Sequence, residues 1–95
     1  MKNMAVPDAL RQTYNGWANY ETWRISLEFF NDYHVEQGEF KDESELAEHL
    51  KSIVEESIDQ HGDNIATSYA HAFVSSVDYN EIAEFILKYR LISMP

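Results

Sequence analysis

A chain of 95 residues has room for one domain with a single core, and 44% hydrophobic and 14% aromatic residues, with three glycines and two prolines, make it a folding sequence and not a disordered one. No cysteine is present, which excludes a disulfide framework, a thiolate zinc site and a cysteine nucleophile. The formal net charge of −10 resides between Glu28 and Asp63, where twelve acids face only Lys41 and Lys51, and a surface of that sign repels nucleic acid and anionic membrane.

The start, "MKNMAVPDAL", lacks the apolar run of a signal peptide, and no stretch approaches the roughly 20 apolar residues of a membrane span, so a soluble cytoplasmic protein is expected. Residues 1–13, with Pro7 and "DALRQTY", read as a flexible segment or a short helix at the edge of a single domain spanning 1–95. Asn15-Gly16 is a turn signal, and Asn19 is a good N-cap for the first main helix. In that helix Tyr20, Trp23, Leu27 and Phe30 recur at three- and four-residue steps, with Ile25 and Phe29 widening the apolar face. The spacing predicts a helix to about Asp32, with Trp23 buried and Trp17, off the stripe, less so. "HVEQGEFKDE" reads as a loop anchored by Phe40.

Asp42 followed by Glu45 makes a capping-box-like start for the second helix, in which Leu46, Ala47, Leu50, Ile53, Val54 and Ile58 form one stripe. Gly62 in "HGDN" is its expected C-terminal cap. A third helix takes Ile65, Ala66, Tyr69, Ala70, Phe73, Val74 and Val77 as its apolar residues, among alanines and serines that permit close approach of a neighbour. Asp78 with Glu81 opens a fourth, with Val77 and Ile82 at the spacing of a hydrophobic staple. Ile82, Ala83, Ile86 and Tyr89 form its inner face, and Lys88 and Arg90 suit the negative end of its dipole. The tail "LISMP" is apolar enough to pack on the domain. The expected architecture is all-α, a bundle-like domain of about four helices with strand nearly absent.

Metal ligation has two starting points, Glu45 with His49 on one helical face and Asp59, His61 and Asp63 alternating around a turn. Neither matches an established ligand pattern, and both read as solvated surface, so no metal and no cofactor is expected. Ser75, Ser76 and four histidines supply hydrolase residue types without a nucleophile elbow, a phosphate-cradling loop or paired carboxylates in an apolar setting. His71 reads as a partly buried, satisfied histidine, and no catalytic residue is assigned.

Binding is the remaining class. Trp17, Tyr14 and Tyr33 fall outside the apolar stripes, and exposed aromatics are common interface anchors. The carboxylates of Glu36, Glu39, Glu43, Glu45, Glu48, Glu55, Glu56 and Asp59 would line an edge suited to a protein partner with a basic surface, or would simply keep the chain soluble. Trp17, Tyr33 and these eight acids are therefore the candidate partner-binding residues.

The run Tyr14-Asn15-Gly16-Trp17, then Asn19-Tyr20-Glu21-Thr22-Trp23, resembles the opening of a family of small, functionally uncharacterised proteins of bacteriophages, plasmids and bacterial genomes. Its signature is Y-N-G-aromatic-x-N-Y-E-T-W. "SYAHAFVSSVDYNEIAEFILK", Ser68 to Lys88, is similar to the family's closing block, through Val77, Asp78, Tyr79, Ile82 and Ala83. Where family members often carry a further tryptophan near the position of Glu28, this chain has "RISLEFFNDYHVEQ". The resemblance supplies no activity. It implies a mobile-element setting, in which small acidic proteins often block host defence enzymes. The expectation is a non-enzymatic inhibitor of a nucleic-acid-handling defence protein, of anti-restriction or anti-CRISPR type, whose mechanism could include nucleic-acid mimicry. The alternative is a structural or housekeeping accessory protein acting through helix packing in a homodimer.

Overall fold

The computed structural model describes residues 14–60, 62 and 64–92. The expected N-terminal turn around Pro7, the His61 and Asp63 positions and the last three residues of the tail lie outside them. Four helices carry the domain, α1 (Tyr20–Phe30), α2 (Glu43–Asp59), α3 (Ile65–Val74) and α4 (Tyr79–Tyr89), so the mostly helical architecture is as expected. A small parallel pair joins them, β1 (Val35–Glu36) with β2 (Leu91–Ile92), Val35 lying opposite Leu91 and Glu36 opposite Ile92. With two residues in each strand, this pair leaves strand nearly absent, as expected. The tail joins the domain through backbone pairing and not through its apolar side chains: the Val35 N–H reaches the Arg90 carbonyl at 3.1 Å and the Gln37 N–H the Ile92 carbonyl at 2.8 Å, while Leu91 and Ile92 stay exposed.

Each helix starts on a side-chain cap. Asn19, Asp42, Asn64 and Asp78 accept from the backbone N–H of Thr22, Glu45, Thr67 and Glu81, in each case the third helical residue. At α2 the box is displaced, for the Glu45 carboxylate reaches back to the N–H of Lys41 (2.5 Å). Gly62 follows the Gln60 cap with φ +87°, and its N–H reaches the Asp59 carbonyl. At the other end of the domain the Arg90 backbone N–H caps α4 by donating to the Ile86 carbonyl, but its side chain serves another helix. Its Nη1 donates to the carbonyls of Phe30, at 3.0 Å, and Asn31, closing α1, which has no base in its last turn.

The core is aliphatic. α2 and α4 form its main interface, with Leu46, Leu50 and Val54 against Ile82, Ala83 and Ile86, and Ile25, Phe30, Val35, Ala47 and Val74 complete it. Two of the expected stripes are out of phase with this core. In α1 the buried residues are Thr22, Ile25 and Phe30, while Tyr20, Leu27 and Phe29 are exposed and Trp23 is only half-buried. In α3 they are Thr67 and Val74, while Ile65 and Tyr69 stand 70% and 69% exposed. Tyr89, expected on the inner face of α4, is 64% exposed.

The reason is the same in both helices. A threonine at the third helical position turns inward because its hydroxyl has a polar partner there: Thr22 Oγ1 accepts from the Asp78 N–H (2.9 Å), and Thr67 Oγ1 donates to the Gly62 carbonyl (2.6 Å). That contact turns the threonine face inward, and Tyr20, Ile65 and Tyr69, each two positions from the threonine and so on the far side of the helix, are left at the surface. Thr22→Val keeps the shape but leaves the Asp78 N–H without its acceptor, and should lower stability by about 1–2 kcal/mol. Asp78→Ala removes the α4 cap for about 1 kcal/mol. Urea midpoints with unchanged slopes check both; a midpoint that does not move in Thr22→Val would show that the hydroxyl is not what sets the rotation of α1.

Candidate functional site

The expected acidic edge divides. Glu45, Glu48, Glu56 and Asp59 fall on the exposed side of α2, opposite the buried Leu46, Leu50 and Val54, at helical spacing. Glu43 is exposed in its first turn, and Glu55 is half-buried on the flank near Tyr79. Glu36 and Glu39 lie on β1 and in the turn after it, where the Glu39 carboxylate accepts from the Glu36 N–H at 3.0 Å. Asp59 holds His71 Nε2 at 2.8 Å, so His71 is satisfied across the α2–α3 interface.

Neither proposed aromatic anchor stands free. Trp17 and Tyr33 are both half-buried and packed against the core, Tyr33 edge-on to Phe30 with ring centroids 5.5 Å apart. Burial, then the charge of Glu39, raises the Tyr33 pKa. Trp17 is thus the tryptophan packed against the core cluster, and Trp23, expected to be buried, is likewise half-buried and packs on Tyr14 and Tyr20. Tyr79, on the flank of α2, is held protonated at pH 7, its pKa pushed up to about 12 by burial and by Glu55, and its hydroxyl is buried without a partner.

A different site is assembled by the Asn-Gly turn. Asn15 and Gly16 have φ of +50° and +89°, the two left-handed residues of a type I′ turn. Tyr14 and Trp17 are paired across it by reciprocal backbone bonds of 2.5 and 2.8 Å. Gly16 is needed for that backbone, since a side chain there would meet no atom but would be strained. The turn lays Trp17 against α4, where its ring meets Phe85 at 5.1 Å, and Phe85 in turn meets Tyr89 at 4.9 Å. A cleft of about 370 Å³ results, walled by Asn15, Trp17, Glu81, Glu84, Phe85, Lys88 and Tyr89. The sequence reading does not anticipate it: there Trp17 is only an aromatic off the apolar stripe, Phe85 has no role and Glu81 is only a cap partner. The signal was the 81, 84–85, 88–89 spacing, a second face of α4 carrying both rings and carboxylates.

Three hydrogen bonds hold this arrangement to α1. The Ala18 N–H donates to Glu81 Oε1 (2.8 Å), Asn19 Nδ2 to the Ser76 carbonyl (2.8 Å), and the Asp78 N–H to Thr22 Oγ1. Burial raises the Glu81 pKa above the ordinary 4.5, the Ala18 N–H acts the other way, and Asp78 and Glu84 add repulsion. A carboxyl with a raised folded pKa binds its proton more tightly when folded. Its contribution to stability is present below the unfolded value near 4.5 and is lost as pH rises through the folded value. Glu81→Gln keeps an acceptor for Ala18 and cannot ionise. Its urea midpoint relative to the parent should therefore be more favourable at pH 7 than at pH 4.5, and a difference independent of pH would contradict the assignment.

Among the described residues no group of three or more histidines, aspartates or glutamates could hold a metal ion, and no helix is long and apolar enough to cross a membrane. No curated protein and no solved structure matches the chain. A family model does, over residues 10–91, a span that contains both interlocking blocks, Tyr14–Trp23 and Ser68–Lys88. The chain belongs to that family, the family of unknown function DUF7249.

Proposed function

We propose that the chain is a non-enzymatic acidic binding protein of a phage or other mobile element, acting in the cytoplasm as an inhibitor of a nucleic-acid-handling host defence protein. The observation that carries this reading is the carboxylate face of α2. Six carboxylates and Lys51 are strung along its 17 residues, roughly 25 Å of helix. That is about one net charge per 5 Å, against ~1.7 Å in duplex DNA and ~3.4 Å along one strand. The face is a dilute imitation of a phosphate row: strong enough to steer a basic groove towards the chain, too weak to replace nucleic acid by charge alone. Direct binding of nucleic acid is disfavoured by the same charges.

A homodimer acting through helix packing is the second reading, favoured by the exposure of Ile65 and Tyr69 on α3, a helix without an acid. Salt separates the two, because electrostatic partnership weakens with ionic strength and apolar packing does not.

Glu48 and Glu56 are the clean positions for a test, both exposed; Glu45, Glu55 and Asp59 have structural duties towards Lys41, Tyr79 and His71. Reversing Glu48 and Glu56 to lysine should leave helicity unchanged and strip a basic host protein from the chain in a pull-down. Retention by the parent should also fall between about 50 and 500 mM salt, where the Debye length drops from roughly 14 to 4 Å. Capture that survives the reversal and ignores salt would defeat the acidic-face reading. A dimer seen by light scattering, lost in Tyr69→Glu, would favour the second.

A further inference from the structure

We propose that the cleft of Trp17, Phe85 and Tyr89 with Glu81 and Glu84 is a receptor for one cationic side chain, an arginine or lysine, presented by the basic protein partner. This deepens the reading of the chain as an acidic binding protein and rests on it.

Four features point to a cation. First, the three rings form a continuous wall: Trp17 and Phe85 are 5.1 Å apart at 47°, Phe85 and Tyr89 4.9 Å apart at 49°, and all three line the cleft. Second, two of these rings already carry cations of the chain itself. Lys88 Nζ sits 5.4 Å from the Tyr89 centroid, and Arg90 Cζ 5.5 Å from that of Phe85. Trp17, the ring type that binds cations best, carries none among the described residues. Third, Glu81 and Glu84 share this wall, and their carboxylates repel an anion and favour a cation over a neutral guest. Glu81 is half-buried and is crowded electrostatically by Asp78 and Glu84, so an arriving cation relieves a repulsion that is present in the empty cleft. Fourth, the wall is preformed. The Asn-Gly turn fixes Trp17, the Ala18 N–H fixes Glu81, and little ordering is left for the guest to supply.

The guest is a protein side chain and not a free small cation. The cleft is open, and a single monovalent ion in an open site is held weakly. A guanidinium or ammonium tethered to a basic surface is delivered by the field of a chain carrying −10. Lys88 also lines the cleft and is the internal competitor: its ammonium lies over Tyr89, where a guest would lie.

The test uses a full-length chain with Trp23→Phe, leaving Trp17 as the single tryptophan, and a hexa-arginine peptide as probe. Titration should shift Trp17 emission saturably, whereas guanidinium chloride at the same arginine-equivalent concentration should not. Tyr89→Ala and Glu84→Gln, both at exposed positions, should each weaken the peptide roughly three- to ten-fold. Lys88→Met should tighten it by a few-fold, a gain that misfolding cannot produce. Peptide affinity that ignores Tyr89→Ala, Glu84→Gln and Lys88→Met but collapses in the Glu48, Glu56 double reversal would overturn the cleft and leave the acidic face standing. A response to guanidinium equal to that of the peptide would overturn the protein side chain as guest. Binding that follows the three cleft variants, in a chain that captures no basic host protein, would sustain the cleft and overturn the inhibitor reading.

Discussion

The structure hangs on the junction between Ala18–Thr22 and Ser76–Glu81. Ala18 N to Glu81, Asn19 Nδ2 to the Ser76 carbonyl and the Asp78 N–H to Thr22 are bonds between residues 56 to 63 apart in sequence. Three of the six groups, Asn19, Thr22 and Glu81, are side chains that cap a helix or stand in its first turn, so the start of α1 and the start of α4 are organised together. At about 1 kcal/mol for each neutral bond and roughly 2 for the charged one, the junction is worth on the order of 4 kcal/mol. That is a large share of the ~5–15 kcal/mol by which a domain is stable. The rotation of α1, the seat of Trp17 and the shape of the cleft all follow from it.

The four helix starts share one device in two forms. Asn-x-x-Thr opens α1 and α3, and Asp-x-x-Glu opens α2 and α4. In each the first residue caps its own helix, and the fourth sends its side chain away: Thr22 to Asp78, Glu45 to Lys41, Thr67 to Gly62, Glu81 to Ala18. The local half of this device is legible in a sequence, and the caps at Asn19, Asp42 and Asp78 were read from it. Asn64 was taken only as the close of the preceding helix. The tertiary half was not legible, because nothing in the spacing of a threonine says which distant amide it will meet.

That gap explains where hydrophobic periodicity failed. It ranked Tyr20, Trp23, Ile65, Tyr69 and Tyr89 as core, yet of the thirteen aromatic residues only Phe30 is fully buried. α2, whose stripe is aliphatic, was read correctly in phase. The rings form a second layer over an aliphatic centre, in contact with one another: Tyr14 with Tyr20 and Trp23, Tyr20 with Phe73, Trp17 with Phe85, Phe85 with Tyr89. An amphipathic ring gains from one buried face and loses little from one wet face, so a small core closes on compact aliphatic residues and leaves the rings outside. The β1–β2 pair escaped for a simpler reason, since two residues carry no period. The acidic edge was legible as composition, but its division between α2 and the β1 turn was not.

The acidic face and the cleft occupy different sides of the α2–α4 pair. α4 turns Ile82, Ala83 and Ile86 towards α2 and Glu81, Glu84, Phe85 and Lys88 elsewhere, while Glu45, Glu56 and Asp59 of α2 lie opposite its buried face. Glu48 is nearer the start of α4, where it borders a separate cleft with Asp78, Tyr79 and Asn80. On the proposed reading the contributions of the acidic face and the Trp17 cleft to binding would differ in kind. The carboxylates of α2 would act on a basic partner still approaching, where the summed field of many charges counts, and so on the rate of encounter. The Trp17 cleft would act only on contact, through rings and two carboxylates around a single cation, and so on the residence time. A partner engaging both surfaces would have to reach around α4, which would favour a projecting arginine or lysine over a flat basic surface.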